Sequence, residues 1–412
     1  MFSGSDTAWI LVSTGLVMFM IPGLAFFYGG LGHRKNVISI MTNSVFNMGI
    51  GAFLWAAVGY TMTCGGQGAI IGSFDYIFHR GIGTDDMTGT VSTYCYSALM
   101  MMYSLITPMI ISGSVSCRMR FKAFYIFVIV WSIIVYYPLA HMVWGDGGLL
   151  GLSDTSLLQA ADFAGGNVVH ISSGVSGLIL CMLVGRRKSY GFLSYHPHNV
   201  PFVLLGLGIL WFGWFGFNGG SALAASNLTA HVFLVTMISG GCAMFAWTMI
   251  EMVKTGKPTI VGACTGALAG LVGITPGCGF MPVWTSVIVG LAVSPVCYLS
   301  IVLVKKVLKI DDSLDAFGCH GIGGVFGGIM TGLFAEGSIG GVTGLFFGNP
   351  EQLWRQILAI LISVVWAAAG TLIAAGVARI FSPLRASLED ETIGLDRPYH
   401  GESAYPSFSG LD

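Results

Sequence analysis

Apolar runs of about 20 residues, separated by short polar turns, recur along nearly the whole chain. Each is long enough to cross roughly 30 Å of hydrocarbon as a helix rising about 1.5 Å per residue, and about eleven runs meet this criterion. The predicted spans lie near residues 8–31, 37–64, 91–114, 123–144, 163–184, 200–217, 229–253, 259–277, 283–304, 315–335 and 356–380. The pattern predicts an all-α integral membrane protein with eleven transmembrane helices.

Glycine and proline interrupt several of these runs, as at Ile21–Gly23, Thr107–Pro108 and Ile274–Gly277. Irregular backbone at membrane depth is tolerated only where it lines a cavity or is buried by protein. We therefore expect some helices to kink or end early around a lumen.

Two segments of the chain resemble each other. Asp162 and Asp315 are each followed by Phe and Gly, then by His170 and His320 respectively, and then by a glycine-rich stretch. In the predicted topology the fifth and tenth spans begin on opposite sides of the membrane. This predicts two inverted five-helix repeats plus an eleventh helix, with a site between the halves near the midplane.

Composition and charge agree with this class. Hydrophobic residues make up 54% and charged residues 9% of the chain, and the mean hydropathy is +0.79, whereas soluble domains have roughly 25% charged residues. With the N-terminus outside, all but two of the 18 Lys and Arg residues, namely Arg80 and Arg355, lie inside. The positive-inside rule therefore predicts a multi-pass protein of the cell membrane, N-out and C-in. The first residues lack a basic stretch, so no cleaved signal peptide is expected.

The histidines are the leading candidates for chemistry. An imidazole has no apolar way to satisfy both ring nitrogens, so an intramembrane histidine faces protein, water or a substrate path. His170 and His320 enter from opposite faces, and helical rise allows both to reach the midplane and touch. Two interpretations stand: core imidazoles bonded to backbone carbonyls, or a neutral pair sharing one proton in a pathway.

The sequence gives little support for a metal site or an enzyme active site. The nine cysteines include no CxxC pair, and no third ligand stands at metal spacing beside the histidines. Neither a nucleophile nor a metal set for an enzyme is apparent. We expect no metal, no cofactor and no nucleic-acid partner.

Aromatic side chains gather at the predicted outer mouth. Trp144 ends the fourth span, Trp214, Phe217 and Ser221 follow one another in the sixth, and Tyr103 of the third reaches the same level. Aromatic faces with a hydroxyl suit a small cation, although interfacial aromatics also serve as membrane anchors. Only their convergence favours a site.

Asp162 and Asp315 stand at predicted helix starts, where an aspartate commonly caps free N–H groups. Capping is the leading interpretation for both. Asp162 is also the carboxylate nearest the outer mouth, and it is a candidate for holding the local field favourable to a cation.

These residues carry a resemblance to the Amt/Mep/Rh ammonium transporters. The matching segments run in order along the chain: His141–Gly145, Asp162–Ile171, Trp214–Asn218, Gly266–Pro276 and the His320 segment. The resemblance implies an eleven-helix homotrimer in the lipid bilayer, with one pore per subunit and ammonium or ammonia as substrate.

The resemblance also implies roles for single residues. Trp144, Tyr103 and Ser221 match the family's outer recruitment site, and Asp162 matches a carboxylate needed for transport. Tyr103 and Phe217 match its stacked aromatic gate. His170 and His320 match its twin-histidine pore.

Three positions depart from the family pattern. Tyr103 stands where the family usually has Phe, Leu99 replaces another outer aromatic, and Ser116–Arg118 replaces a more typical Ala-Glu-Arg. A tyrosine hydroxyl can strengthen binding yet slow passage. The first hypothesis is therefore an ammonium transporter, and the second is an ammonium sensor of the same fold that conducts poorly.

The chain divides into a membrane domain, residues 1–383, and a cytoplasmic tail, residues 384–412. Composition alone allows a solvated, disordered tail. By resemblance, the tail is a regulatory segment that meets a PII-type protein or a fused or associated signalling domain. Its matching residues are Gly394, Asp396, His400, Glu402 and Tyr405.

Overall fold

The computed structural model describes residues 1–188, 190–191 and 196–405. Within them, ten helices are long and apolar enough to cross a membrane, and an eleventh apolar helix is shorter. The helices are α1 Gly4–Leu31, α2 Arg34–Cys64, α3 Thr93–Val115, α4 Phe121–Trp144, α5 Gly166–Val184, α6 Val200–Gly220, α7 Asn227–Thr255, the shorter α8 Ile260–Ile274, α9 Val283–Val307, α10 Phe317–Phe334 and α11 Pro350–Phe381. Each overlaps one predicted span.

Short elements connect these helices or follow them. They are a 3-10 turn Ile77–His79, the strands Met87–Thr88 and Val91–Ser92, a helical turn Gly337–Gly340, a 3-10 turn Leu345–Phe347, and the tail helices Leu388–Ile393 and Asp396–His400. The two strands pair antiparallel. Apart from this ribbon, the regular structure of the described residues is helical, as predicted.

The predicted breaks at proline are confirmed at one position of three. Helix α8 ends at Ile274, just before Pro276. Pro22 and Pro108 lie inside α1 and α3, which continue past them. A proline at these depths removes one donor without ending the helix.

Small residues bring the helices close together, as the glycine content suggests. Helix α1 packs chiefly along α6. A Cβ added to Gly206 of α6 would lie 2.3 Å from the backbone nitrogen of Phe27, so only glycine fits there. The close contact of α1 with α6 depends on this missing side chain.

The two histidine segments share an unusual local structure. Each begins with a π-helical turn, Gly166–Ile171 and Phe317–Gly321, that contains its histidine and continues into an α-helix of 13 residues. Helices α2, α4 and α9 also contain such turns, at Trp55–Gly59, Ser132–Tyr136 and Leu303–Val307. The internal resemblance seen in the sequence therefore has a structural counterpart.

The two segments also cross with their chains running in opposite directions. A Cβ on Gly174, one turn after His170, would lie 2.3 Å from the backbone nitrogen of Gly321. A Cβ on Gly324, one turn after His320, would lie 3.1 Å from the Cβ of His170. Glycines at matching positions thus permit the crossing that brings the histidines together.

We expect Gly174→Ala to destabilise the protein by about 1–3 kcal/mol, because the new methyl group would overlap backbone rather than a movable side chain. Thermal unfolding in detergent would show a lower midpoint. Gly208→Ala in α6 is the matched control, since its Cβ would meet nothing within 4 Å. Equal midpoints for the two variants would contradict so close a crossing.

Candidate functional site

The imidazoles of His170 and His320 meet inside the helix bundle. Their Nδ1 atoms lie 3.2 Å apart and their ring centroids 5.2 Å apart. Both side chains are buried, with 1% and 2% of each residue exposed. The predicted contact between the rings is present in the structure.

This contact fixes how the two rings divide their protons. One Nδ1 must donate to the other, so that ring presents a bare Nε2, while the accepting ring carries its proton on Nε2. Neither Nε2 of His170 nor that of His320 has a hydrogen-bond partner among the described residues. The pair therefore offers one acceptor and one donor to a small polar guest.

Both histidines line a narrow cavity whose other walls are Met, Leu, Ile, Val, Trp and Phe side chains. We call this cavity the lumen. Its volume of about 10 Å³ is close to the minimum for a single water. An ion would have to shed its hydration shell to enter.

One end of the lumen is closed by aromatic rings. Phe217 lines the lumen, and its ring centroid lies 4.9 Å from that of Tyr103, with the planes at 69°. The family resemblance implied stacked rings, but here they meet edge to face. Both residues are almost fully buried, with 2% of Tyr103 and 1% of Phe217 exposed, so the gate is shut.

Beyond the gate, Trp144 and Ser221 complete what we call the aromatic mouth, together with Tyr103 and Phe217. The Trp144 ring lies 5.9 Å from the Tyr103 ring, and the Tyr103 hydroxyl lies 3.1 Å from Ser221 Oγ and donates to the Phe217 carbonyl at 3.0 Å. The Ser221 hydroxyl contacts the same carbonyl at 3.0 Å. Four of the five residues predicted to converge here do so, and the exception is Trp214. Leu99 is buried near Gly220 and adds no further ring.

Asp162 holds the connection that leads into α5. Its Oδ1 accepts the N–H groups of Gly165 and Gly166 at 2.9 and 2.6 Å, and its Oδ2 accepts that of Asn167 at 2.7 Å. Gly165 adopts a φ of +116°, which suits glycine, and this turn wraps the carboxylate. The capping role is confirmed. In addition, the Asp162 carbonyl accepts the Trp144 indole N–H at 3.0 Å.

Asp315 does not cap its helix, and that prediction is wrong. The Oδ2 atom of Asp312 accepts the Phe317 N–H at 2.9 Å instead. Asp315, with φ +60°, turns its carboxylate to Lys305, whose Nζ lies 2.5 Å away. The loop geometry, rather than the distance to the helix start, decided which aspartate reaches the free N–H.

A separate cavity of about 240 Å³, which we call the charged mouth, adjoins the lumen at the end opposite the gate. Its lining includes His33, His196, Lys305, Asp315 and His320. His320 lines both this cavity and the lumen. The second histidine thus stands at the boundary between an apolar and a charged compartment.

The tail docks beside the charged mouth. Gly394, at φ +104°, lies so close to the 3-10 turn that begins α2 that a Cβ would come within 2.5 Å of the Lys35 carbonyl oxygen. The carboxylate of Asp396 accepts the Ser39 N–H at 2.8 Å and so caps the α-helical part of α2, which begins at Val37. Burial raises the pKa of the Asp396 carboxyl.

The rest of the described tail is also attached. The His400 ring packs on Phe121, with ring centroids 5.2 Å apart, and the Tyr405 hydroxyl lies 3.1 Å from His198 Nε2. Burial lowers the pKa of the His400 imidazole. Glu402 is exposed. The tail is therefore not a free solvated chain up to Tyr405, and residues 406–412 lie outside the described part.

Comparison with known proteins decides the family. The model of the Ammonium Transporter Family matches residues 8–405. The chain belongs to the ammonium transporter family. An ammonium transporter of Bacillus subtilis is 42% identical over 404 residues, which cover 97% of this chain and 98% of that protein. Ammonium transporter Amt1 of Archaeoglobus fulgidus is 40% identical over 405 residues, which cover 98% and 100%.

Solved structures of ammonium transporter family members share the fold. Mep2 of Saccharomyces cerevisiae superposes with a TM-score of 0.87 at 31% identity, over 94% of this chain and 88% of that chain. A structure described as "Sensor Amt Protein" superposes with a TM-score of 0.88 at 27% identity, over 96% and 98%. The chain is a multi-pass, helical membrane protein of this fold.

Two residues of this ammonium transporter family member escaped the sequence argument. Trp214 was placed at the outer mouth, but its ring lies in the lumen wall, 5.5 Å from His170 and nearly parallel to it. Trp214 and Phe217 are one helical turn apart, so their side chains lie on the same face of α6, and this spacing could have predicted the position of Trp214. Lys305 was counted only as an inside charge, although it pairs with Asp315 beside the lumen.

We expect Asp162→Ala to destabilise this ammonium transporter family member more than Asp162→Asn does. Alanine leaves three buried N–H donors unpaired, at about 1–3 kcal/mol each, whereas the asparagine oxygen still accepts from Gly165 and Gly166. Thermal unfolding followed by tryptophan fluorescence measures the order. The exposed Asp154, changed to Ala, is the control. Equal losses for the two Asp162 variants would refute the capping role.

Proposed function

We propose that this chain is an ammonium transporter that recruits ammonium at the aromatic mouth and conducts ammonia through the lumen. The observation that carries the proposal is the pair of buried imidazoles, His170 and His320, whose free Nε2 atoms face an otherwise apolar cavity. The family membership and the transporter relatives support it.

Desolvation selects the species that crosses. Moving a cation into an apolar space without compensating partners costs several kcal/mol or more, whereas a neutral amine loses only its hydrogen bonds to water. The rings of Trp144 and Tyr103 attract a cation by about 0.5–2 kcal/mol each, and the Ser221 hydroxyl oxygen retains a lone pair for it. Ammonium binds there, gives up its proton and enters as ammonia.

The histidine pair provides for both the amine and the proton. Ammonia donates to the bare Nε2 and accepts from the protonated one, while the shared Nδ1 proton links the two rings. Shifting that proton between the rings relays charge separately from the amine. Potassium has no proton to release, so the lumen excludes it.

A second function, ammonium sensing, is favoured by two observations. A structure described as a sensor Amt protein shares the fold at a TM-score of 0.88. The Tyr103 hydroxyl also ties the gate ring to the Phe217 carbonyl of α6. A gate held shut in this way binds ammonium and conducts it slowly.

We also propose orientation, assembly and regulation. The aromatic mouth faces outside and the charged mouth faces the cytoplasm, in accord with the bias of Lys and Arg. Three copies form the homotrimer implied by the family. Residues 384–412 act as a regulatory segment that a PII-type protein or a signalling domain reads, because the docked Gly394 and Asp396 couple it to α2.

The function is tested by reconstitution into liposomes. We expect an ammonium gradient to evoke a current or a change in internal pH, and His320→Leu to reduce it about tenfold or more, since a buried guest loses a hydrogen bond. His231→Gln, at the Met281 carbonyl and outside the lumen lining, is the control. Saturable ammonium binding without flux would favour sensing, and undiminished flux in His320→Leu would reject the relay.

We expect Tyr103→Phe to raise ammonium flux about two- to tenfold, because it removes the hydrogen bond that holds the gate ring to α6. Initial rates in liposomes measure this. Tyr137→Phe is the matched control, since Tyr137 is a buried tyrosine that packs on Trp55. An unchanged or lower rate for Tyr103→Phe would discard the hydroxyl as a brake.

A further inference from the structure

The charged mouth contains an ion pair beside the pore histidine. Lys305 Nζ lies 2.5 Å from Asp315 Oδ1, and the two side chains are 30% and 28% exposed. Both residues line the same cavity of about 240 Å³ as His320. Whatever enters or leaves the lumen at this end passes an ion pair that water reaches only in part.

The backbone holds both partners in place. Asp315 adopts a φ of +60°, a left-handed conformation that a residue other than glycine adopts at a cost. Lys305 lies in the π-helical turn Leu303–Val307 at the end of α9, and its carbonyl oxygen accepts the Tyr190 hydroxyl at 2.6 Å. Both partners of the ion pair therefore lie in irregular backbone.

The neighbouring acidic groups do not line the charged mouth. Asp311 forms a buried ion pair with Arg187, at 2.5 Å. Asp312 accepts the Phe317 N–H with Oδ2, while its buried Oδ1 has no hydrogen-bond partner among the described residues. Among these three aspartates, Asp315 is the one that pairs with a lysine ammonium group in the wall of the charged mouth.

That partner has the chemistry of the transported ion. A lysine side chain ends in –NH₃⁺, which is ammonium with one hydrogen replaced by an alkyl chain, and it cancels the charge that would attract a free cation. The carboxylate of Asp162, near the aromatic mouth, is bound by neutral backbone N–H groups instead of a cation. The carboxylates at the two ends of the lumen therefore have different partners, backbone N–H groups at one end and a lysine at the other.

We propose that Lys305 is a tethered occupant of an ammonium site formed by Asp315, so that the charged mouth binds free ammonium weakly. This rests on the proposed transport function. Lys305 acts here by occupying the carboxylate, without forming a bond to the substrate.

The test measures the ammonium concentration that half-saturates flux from the charged-mouth side, in liposomes of known protein orientation. In Lys305→Gln the carboxylate is released, and this concentration falls about two- to fivefold, as expected for a partly exposed ion pair. Lys305→Arg keeps the pair and the wild-type value. Lys306→Gln removes an exposed charge that has no ion-pair partner among the described residues, and it leaves the value unchanged.

Removing both partners gives a second check. In the double variant Lys305→Gln, Asp315→Asn the lining of the charged mouth contains no carboxylate among the described residues, so the half-saturating concentration returns to that of the wild type. A Lys305→Gln protein that folds, by its thermal midpoint, and keeps the wild-type value overturns the inference.

A binding measurement separates this inference from the transport proposal. If the wild type conducts in neither direction, transport fails, and calorimetric titration with methylammonium chloride decides about Lys305. Lys305→Gln then binds one more methylammonium per subunit than the wild type, and the double variant loses it. Equal binding in wild type and Lys305→Gln overturns the inference.

Discussion

Two imidazoles that share one proton in an apolar cavity can be fully satisfied only with a guest present. The Nδ1 contact of 3.2 Å between His170 and His320 leaves each ring with one unpaired nitrogen. Buried polar atoms without partners cost about 1–3 kcal/mol each. The cost is tolerated because the rest of the bundle holds the rings there, and a small amine that both donates and accepts relieves it.

Glycines where the two histidine segments cross leave room for this arrangement. Side chains at Gly174 and Gly324 would separate the two helices and with them the rings. The π-helical turns shift each histidine relative to the α-helix that follows. The two segments run antiparallel and meet each other through equivalent positions. This shared geometry accounts for the resemblance of the two segments in sequence.

The helices and the histidine pair could be predicted because each has a strong local signal. Apolar length defines a span, and an intramembrane histidine in a repeated segment has few alternatives. Features that depend on side-chain direction were harder. The depth of Trp214 depends on the phase of α6, and the choice between Asp312 and Asp315 as cap depends on a left-handed residue in the loop. Asp315, the partner of Lys305, is connected to it by a turn whose conformation cannot be read from the hydrophobic periodicity of the sequence.

The repeated segments differ at their carboxylates, and this difference makes the two ends of the lumen chemically unlike. Asp162 stands eight residues before its histidine and binds three backbone N–H groups, whereas Asp315 stands five residues before its own and binds a lysine. Neutral donors add no compensating charge to a carboxylate, but a cation at 2.5 Å cancels most of the field that the carboxylate exerts on more distant ions. Two similar segments therefore place a carboxylate with neutral partners at one end of the lumen and a carboxylate paired with a cation at the other.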